Sequence, residues 1–380
     1  MKGLGVPISR IVPLADEAPS PRRLGNVHWG PAAAAILLSS IGLATVHSAS
    51  AELEVSYLPR QALWVGLGCL ALAAAFVIDY RRLVDMAPIF YGLGLALLAM
   101  VLVIGEVRGG ARSWLGLGPL GGQPSEIAKL TTALLLVRYL SRIPKSHLDL
   151  GQILKATVIT AVPMALVALE RDLGGAAMFL PILVGLLLVA GVRWRQLVIM
   201  AGLGLVIAAG MWTFGLREYQ RSRVMSFLAP EQDPLGAGYQ VRQSKIAVGS
   251  GQWTGRGYGQ GTQSQLRFLP ERHTDFIMAV LAEEWGFLGV VAVLALYSSY
   301  FSSGASIAAR ARDRTGILLV AGLLSLLAFH TVYNTAMVVG MVPVTGIPLP
   351  FLSYGGSFVL LCFVVTGLVL NVDYRRYVNR

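Results

Sequence analysis

An all-α protein threaded about ten times through a membrane is the fold this 380-residue sequence predicts. Three observations predict it. Hydrophobic residues make up 55% of the chain and charged residues only 13%, against roughly 25% charged in an average soluble domain. The apolar runs reach 16 to 20 residues, and a helix needs about 20 to cross a bilayer. Lysine and arginine also collect in alternate connecting segments, as they do in polytopic membrane proteins.

The spans fall near 31–47, 60–79, 86–104, 125–141, 152–169, 175–192, 196–214, 276–300, 316–340 and 355–371. Residues 1–30 are polar, hold four prolines and read as a cytoplasmic tail; 31–380 form one membrane domain. Ala49-Ser50-Ala51 follows the first apolar run as a signal-peptidase site does. The leader before it is longer than a typical n-region, so the segment is expected to be kept. Cys69 and Cys362 sit inside apolar runs and pack as small hydrophobes, with no disulfide framework or zinc spacing.

The net charge of +11 follows from topology. With the N-terminus in the cytoplasm, 18 of the 31 basic residues lie in inside segments and 5 in short outside loops or span edges, among them Arg60, Arg112 and Lys129. The other eight fall in 215–273, after the seventh span. Both termini are therefore predicted in the bacterial cytoplasm and 215–273 outside, as a long extracytoplasmic loop between helices seven and eight. Nucleic acid is excluded as the reason for the basic balance. The long loop carries Arg223, Lys245, six aromatics and a glycine-rich tract from Gly249 to Gly261, which reads as pliable.

Ionisable groups at membrane depth cost about 3 kcal/mol each, so those present are candidates for function. Four groups stand out. Gly110-Ala111-Arg112-Ser113-Trp114 precedes Gln123-Pro124-Ser125-Glu126, with Lys129 three residues after Glu126 on the same helix face. Spacing alone favours a capping ion pair, since such pairs are common. Glu170-Arg171-Asp172 links spans five and six and reads as a solvated turn on charge alone. Arg272-His273-Thr274-Asp275 enters span eight, where Asp275 or Thr274 is placed to cap the helix, with Glu283-Glu284 deeper. Those two glutamates are expected to face the bundle interior and find partners there. Finally, Pro343 to Ser357 holds three prolines and three glycines, so it cannot be helical. Such backbone near a membrane must be buried in protein or line a cavity. No Gly-x-Ser-x-Gly elbow, Walker A lysine or His-Glu-x-x-His motif occurs.

Taken together, these motifs resemble the SEDS family (shape, elongation, division and sporulation proteins). The resemblance rests on Gln123-Pro124-Ser125-Glu126 with Lys129, Arg171-Asp172-Leu173-Gly174, Gly236-x-Gly238-Tyr239-x-x-x-Gln243-Ser244, Leu269 to Phe276 and Gly346 to Gly356. Gly261-Thr262-Gln263-Ser264 and Gly346-Ile347-Pro348-Leu349-Pro350 are similar to the elongation branch rather than the division branch. Glu170-Arg171 and Phe358 depart from the family pattern.

The resemblance implies a glycosyltransferase that polymerises lipid II into peptidoglycan at the outer face of the cytoplasmic membrane, with lipid II flipping as the alternative. It implies a class B penicillin-binding protein as partner, no organic cofactor, and a divalent cation such as magnesium or manganese. Asp275 is implied as the catalytic carboxylate, with Glu126 and Lys129 beside it. Arg112, Trp114, Asp172, Arg223, Lys245, Gln263, Ser264, Arg272, His273, Ser353 and Tyr354 are the expected substrate-binding set.

Overall fold

The computed structural model describes residues 24–51, 56–108, 111–116, 121–144, 147–210, 212–213, 221, 225–229, 233 and 236–376. Eight helices, or helix pairs, are long and apolar enough to cross a membrane. They are α1 (Gly30–Ser50), α2 (Leu58–Val77), α4 (Ala87–Ile104), α6 (Leu150–Leu169), α7 with α8 (Leu173–Ala177, Phe179–Ala190), α12 (Ile277–Arg310), α13 (Arg314–Val338) and α14 (Gly356–Arg375). Two further helices stand at the other expected spans. α5 (Pro124–Ser141) carries Glu126, Lys129 and Arg138 and is largely buried, so protein rather than lipid surrounds its polar residues. α9 (Trp194–Gly210) is 17 residues long and mostly exposed. The chain is thus an all-α polytopic membrane protein, with eight spanning helices or helix pairs and α5 and α9 beside them among the described residues. Short elements join them: α3 (Tyr80–Asp85), a hairpin of β1 (Glu106–Arg108) and β2 (Ala111–Trp114), α10 (Ala237–Ser250) and α11 (Thr262–Gln265).

Local sequence sets the helix ends. Proline stands in the first turn of α1, α2, α4 and α5, where its missing N–H costs nothing. Asp79, Asp149, Asp172 and Asp313 accept a backbone N–H at the starts of α3, α6, α7 and α13. The passes alternate, so α2, α5 and α14 all begin at one end of the bundle, next to the long segments 236–276 and 339–355. At the opposite end Nδ2 of Asn371 lies against the carbonyls of Ala75, Phe76 and Ile78, and Arg81 pairs with Asp313 at 3.0 Å. His28 N–H donates to Asp373 at 2.7 Å, which places the first and last described helices on the same side.

α12 is two helices joined at Gly286, whose φ of 65° and ψ of −165° are not helical. The break frees carbonyls before it and N–H groups after it, and the glycine-rich tract takes them up. Arg256 and Gly257 N–H donate to the carbonyls of Glu283 and Glu284 at 3.0 Å, while Phe287 and Leu288 N–H donate to Gln252 and Trp253 at 2.8 and 3.1 Å. This tract was expected to be pliable, yet it is clamped to the broken helix. The eighth pass is corrected too: Phe287–Arg310 alone is about 36 Å long at 1.5 Å per residue, so it crosses unaided. The preceding turns, Phe276 to Glu284, are buried on every side. Phe276 caps α12 without a side-chain bond, so neither Thr274 nor Asp275 serves as its cap.

Glu283 and Glu284 face the interior, as expected, but find hydrogen-bond donors rather than cations. Glu283 accepts Gln263 and Ser264 N–H at 2.8 and 3.2 Å, and Glu284 accepts the Ser48 hydroxyl.

Gly255 has φ +81°, and a Cβ there would stand 2.1 Å from the carbonyl oxygen of Glu284. Gly255→Ala should therefore destabilise the solubilised protein by about 1–3 kcal/mol, as overpacking does. Gly249→Ala, with open space around the added carbon, should leave the melting temperature unchanged or raise it. Equal melting of both variants would contradict the clamp.

Candidate functional site

Four stretches of chain meet at the end where α2, α5 and α14 begin: the start of α2, the hairpin leading into α5, residues 273–275, and the proline-rich segment 343–357. Proline carries no N–H, so this segment cannot satisfy its own backbone, and side chains of α12 and α13 supply the missing donors. Tyr333 donates to the Pro343 carbonyl at 3.1 Å, Asn334 to Ile347 at 2.7 Å, and Tyr297 to Pro350. His330 Nδ1 lies 3.3 Å from the Pro348 carbonyl. The Ser353 hydroxyl accepts Leu349 N–H at 2.8 Å and donates to the Thr274 carbonyl at 2.6 Å. Tyr354 N–H donates to His273 at 2.9 Å, and Asn334 also donates to the Asp275 carbonyl at 2.8 Å. Residues 273–275 are thus laced to the proline-rich segment one carbonyl at a time.

Between these stretches lies a cavity of about 540 Å³. Asp275 and Glu126 both face it, with Arg60 at the start of α2. A carbon added at Gly346 would stand 3.5 Å from Oδ2 of Asp275, so the carboxylate rests against bare backbone. Tyr57, His273 and Tyr354 form an aromatic wall in which the Tyr57 and His273 rings stack at 4.5 Å and 10°. Burial holds the His273 imidazole below its usual range, with Arg272 acting in the same sense and Glu271 against it. A second, apolar cavity of about 380 Å³ opens beside the first, lined by Leu97, Ile127, Leu130 and Leu361 among others. The two share Trp64, Gln123, Glu126 and Ser357.

Lys129 is 1% exposed and lies behind Glu126, its Nζ 2.9 Å from both carboxylate oxygens and 5.7 Å from the centre of the Phe358 ring. It does not line the cavity. Removing one partner of such a buried pair strands the other, typically at about 3–5 kcal/mol.

Of the expected residues, the structure brings Asp275, Glu126, Trp114, His273 and Tyr354 to the cavity wall. Others are placed elsewhere. Asp172 caps α7 and accepts the Gln123 side-chain amide at 3.0 Å, so it stands behind a lining residue. Arg112 lies on β2 with its guanidinium on the Leu102 carbonyl at 3.3 Å. Ser353 is buried in the clamp just described. Lys245 lies over Gly340 at the end of α13, where a cation suits the helix dipole. Gln263 and Ser264 give their N–H groups to Glu283, while Arg272 ties Ser264 to the Ala49 carbonyl, and the three build a turn away from the cavity. Arg223 lies outside the described residues. Sequence reasoning missed Arg60, Tyr57, Trp64, Gln123 and Ser357. Arg60 carried one usable signal, a cation at a span edge on the side poor in cations.

The family model described as cell cycle protein (FtsW, RodA and SpoVE) matches residues 30–378. The chain belongs to that family. The peptidoglycan glycosyltransferase MrdB of Escherichia coli K12 is 39% identical over 359 residues, covering 92% of this chain and 95% of its own length. The peptidoglycan glycosyltransferase RodA of Treponema pallidum is 33% identical over 90% of this chain and 96% of its own. A solved chain of a peptidoglycan synthase complex coordinating polymerization and crosslinking aligns with TM-score 0.81 at 34% identity, covering 92% of this chain and 98% of that one. The rod shape determining protein RodA of Thermus thermophilus aligns with TM-score 0.70 at 31% identity over the same shares.

The divalent cation implied by the SEDS resemblance finds no closed cage: among the described residues no three carboxylate, imidazole or thiolate groups converge.

Glu170 differs from the solvated residue expected. It is 1% exposed, neither carboxyl oxygen has a partner, and its own carbonyl accepts Arg112 N–H at 2.9 Å. Burial, and secondarily the charge of Asp172, push its carboxyl up to about 8. Between the ordinary 4.5 and this value the folded state keeps a proton that the unfolded chain releases, so stability falls as pH rises through that window. Glu170→Gln removes this dependence. Its melting temperature should draw ahead of wild type from pH 5 to 8 and hold that lead at higher pH. A difference independent of pH would contradict the buried, protonated acid.

Proposed function

We propose that this protein is a peptidoglycan glycosyltransferase that polymerises lipid II at the outer face of the cytoplasmic membrane during elongation, acting with a class B penicillin-binding protein. The observation that carries the reading is the cavity that pairs Asp275 with Arg60 and joins an apolar cavity at Glu126. Lipid II has two chemistries, a sugar pyrophosphate and a polyprenyl tail, and the two cavities match them in that order. The similarity to MrdB and RodA glycosyltransferases supports the activity, and the likeness to a synthase complex supports the partner.

In the reaction Asp275 takes the proton of the acceptor sugar hydroxyl as that oxygen attacks the anomeric carbon of the donor. The bond to pyrophosphate breaks and its electron pair leaves with undecaprenyl pyrophosphate. General-base help of this kind is worth about 10²–10⁴-fold. Three helices, α2, α5 and α14, begin at the cavity, so their positive dipole ends face the departing anion together with Arg60. Glu126, paired with Lys129, accepts hydrogen bonds from sugar hydroxyls. Trp64, Trp114 and the Tyr57–His273–Tyr354 wall offer flat apolar faces to the sugar rings. A transport reading needs a polar path through the full depth. The polar lining here ends within about two turns of the starts of α2, α5 and α14, and buried apolar side chains follow.

The test is polymerisation of purified lipid II in detergent, with the partner present, where no flipping is required. Wild type should make polymer and Asp275→Asn should make none, with expression and partner binding retained. Arg60→Ala should lose a charge-assisted contact worth about 1.5–3 kcal/mol, or roughly ten- to a hundredfold in rate. A folded complex that makes no polymer across divalent-metal conditions would favour lipid II transport.

Orientation is tested separately. Gln260 is exposed at the loop-rich end, so a cysteine placed there should react with a membrane-impermeant reagent in cells whose outer barrier is opened. Labelling only after lysis would reverse the topology.

A further inference from the structure

The residue before a helix cap has a carbonyl that the helix ladder does not use, and Asp275 is in that position ahead of Phe276. Its carbonyl is part-buried and takes a donor from elsewhere. Asn334, midway through the last two turns of α13 and fully buried, supplies it. The two protons of one amide nitrogen go to two carbonyls from distant parts of the chain, Asp275 at 2.8 Å and Ile347 at 2.7 Å. The amide oxygen of Asn334 has no partner. An asparagine kept for packing alone would be replaced without loss by an apolar side chain, which strands no buried oxygen. His330 and Tyr333, on the same helix, each meet one carbonyl of the proline-rich segment. Asn334 differs because it joins that segment to the backbone of Asp275.

We infer that Asn334 is a positioning residue that fixes the Asp275 carboxylate against Gly346 by holding the backbones of residues 275 and 347 at one nitrogen. The inference rests on the reading of Asp275 as the base. Neighbouring bonds hold the two residues before it, since Ser353 takes the Thr274 carbonyl and Tyr354 the His273 carbonyl. Losing Asn334 therefore loosens the last link of the lacing, nearest the carboxylate, and leaves the others in place. A reacting group displaced by about 1 Å can lose on the order of a hundredfold in rate.

The experiment uses the full chain with its partner and lipid II in detergent. Asn334→Ala should lower kcat about ten- to a hundredfold with KM within twofold and partner affinity close to wild type, at a melting temperature lowered by the two carbonyls it leaves unmet. Hydrogen exchange should speed up in peptides covering 273–276 and 345–349 and stay unchanged in the first half of α13. If the alanine variant does not fold, Asn334→Asp, which keeps the shape but offers at most one donor, is read in the same way and should show the same split. A kcat within twofold of wild type overturns the inference, and so does a loss accompanied by even loosening along the whole of α13. Asp275→Asn run alongside separates the two readings: if it polymerises normally, the base assignment fails whatever Asn334 does. If it is dead while the Asn334 variants turn over normally, only the positioning role fails.

Discussion

Backbone polar groups cannot be left bare inside a membrane protein, and the segment 343–357 has prolines where N–H donors would be. An unmet buried group costs about 1–3 kcal/mol. The fold meets this demand by turning polar side chains of two largely apolar helices onto carbonyls of the segment: Tyr297 from α12, and His330, Tyr333 and Asn334 from α13. The same logic governs Gly286, where a broken helix borrows its partners from the glycine-rich tract. In both places irregular backbone is tolerated because protein surrounds it. The dividend is a cavity wall that no continuous helix provides, with Asp275 set against Gly346.

Charge follows the same economy of space. Glu126 and Lys129 neutralise each other at the cavity floor, which keeps a carboxylate available without stranding a charge in the core. Glu283 and Glu284 are met by N–H groups and a hydroxyl, so they fix the turn at 262–265 to α12 and α1. Arg60 stands at the start of α2, where it reinforces rather than opposes the field of three helix ends. The cavity is thus suited to an anion even though two of its charged lining residues are acidic.

Much of this was legible in the sequence because apolar length is a strong signal: each helix of spanning length among the described residues matches an expected span, and the non-helical nature of 343–355 followed from its prolines and glycines, although Gly356 and Ser357 already belong to α14. Asp275, Glu126, His273, Trp114 and Tyr354 were drawn from motifs and do face the cavity. Motif density misled where it also builds turns. Gln263, Ser264 and Arg272 sit in the same run as Asp275, but they close a turn around Glu283 on the far side of that run. Arg112 and Asp172 stand in motif runs of the right order, and order along the chain says nothing about direction around the bundle. Glu170 looked solvated because neighbouring charges usually are, and only packing against the hairpin shows it buried. Asn334 left no trace, being one of several polar residues on a largely apolar helix, with partners 59 and 13 positions away.

The most direct test of the account is a structure of the Asp275→Asn variant, with its partner, holding unreacted lipid II. The account places an acceptor sugar hydroxyl within about 2.6–3.2 Å of the residue 275 side chain, the pyrophosphate beside Arg60 and the starts of α2, α5 and α14, and the polyprenyl chain in the cavity lined by Ile127 and Leu361. Lipid II bound with its pyrophosphate away from Arg60, or its sugar out of reach of residue 275, would contradict it.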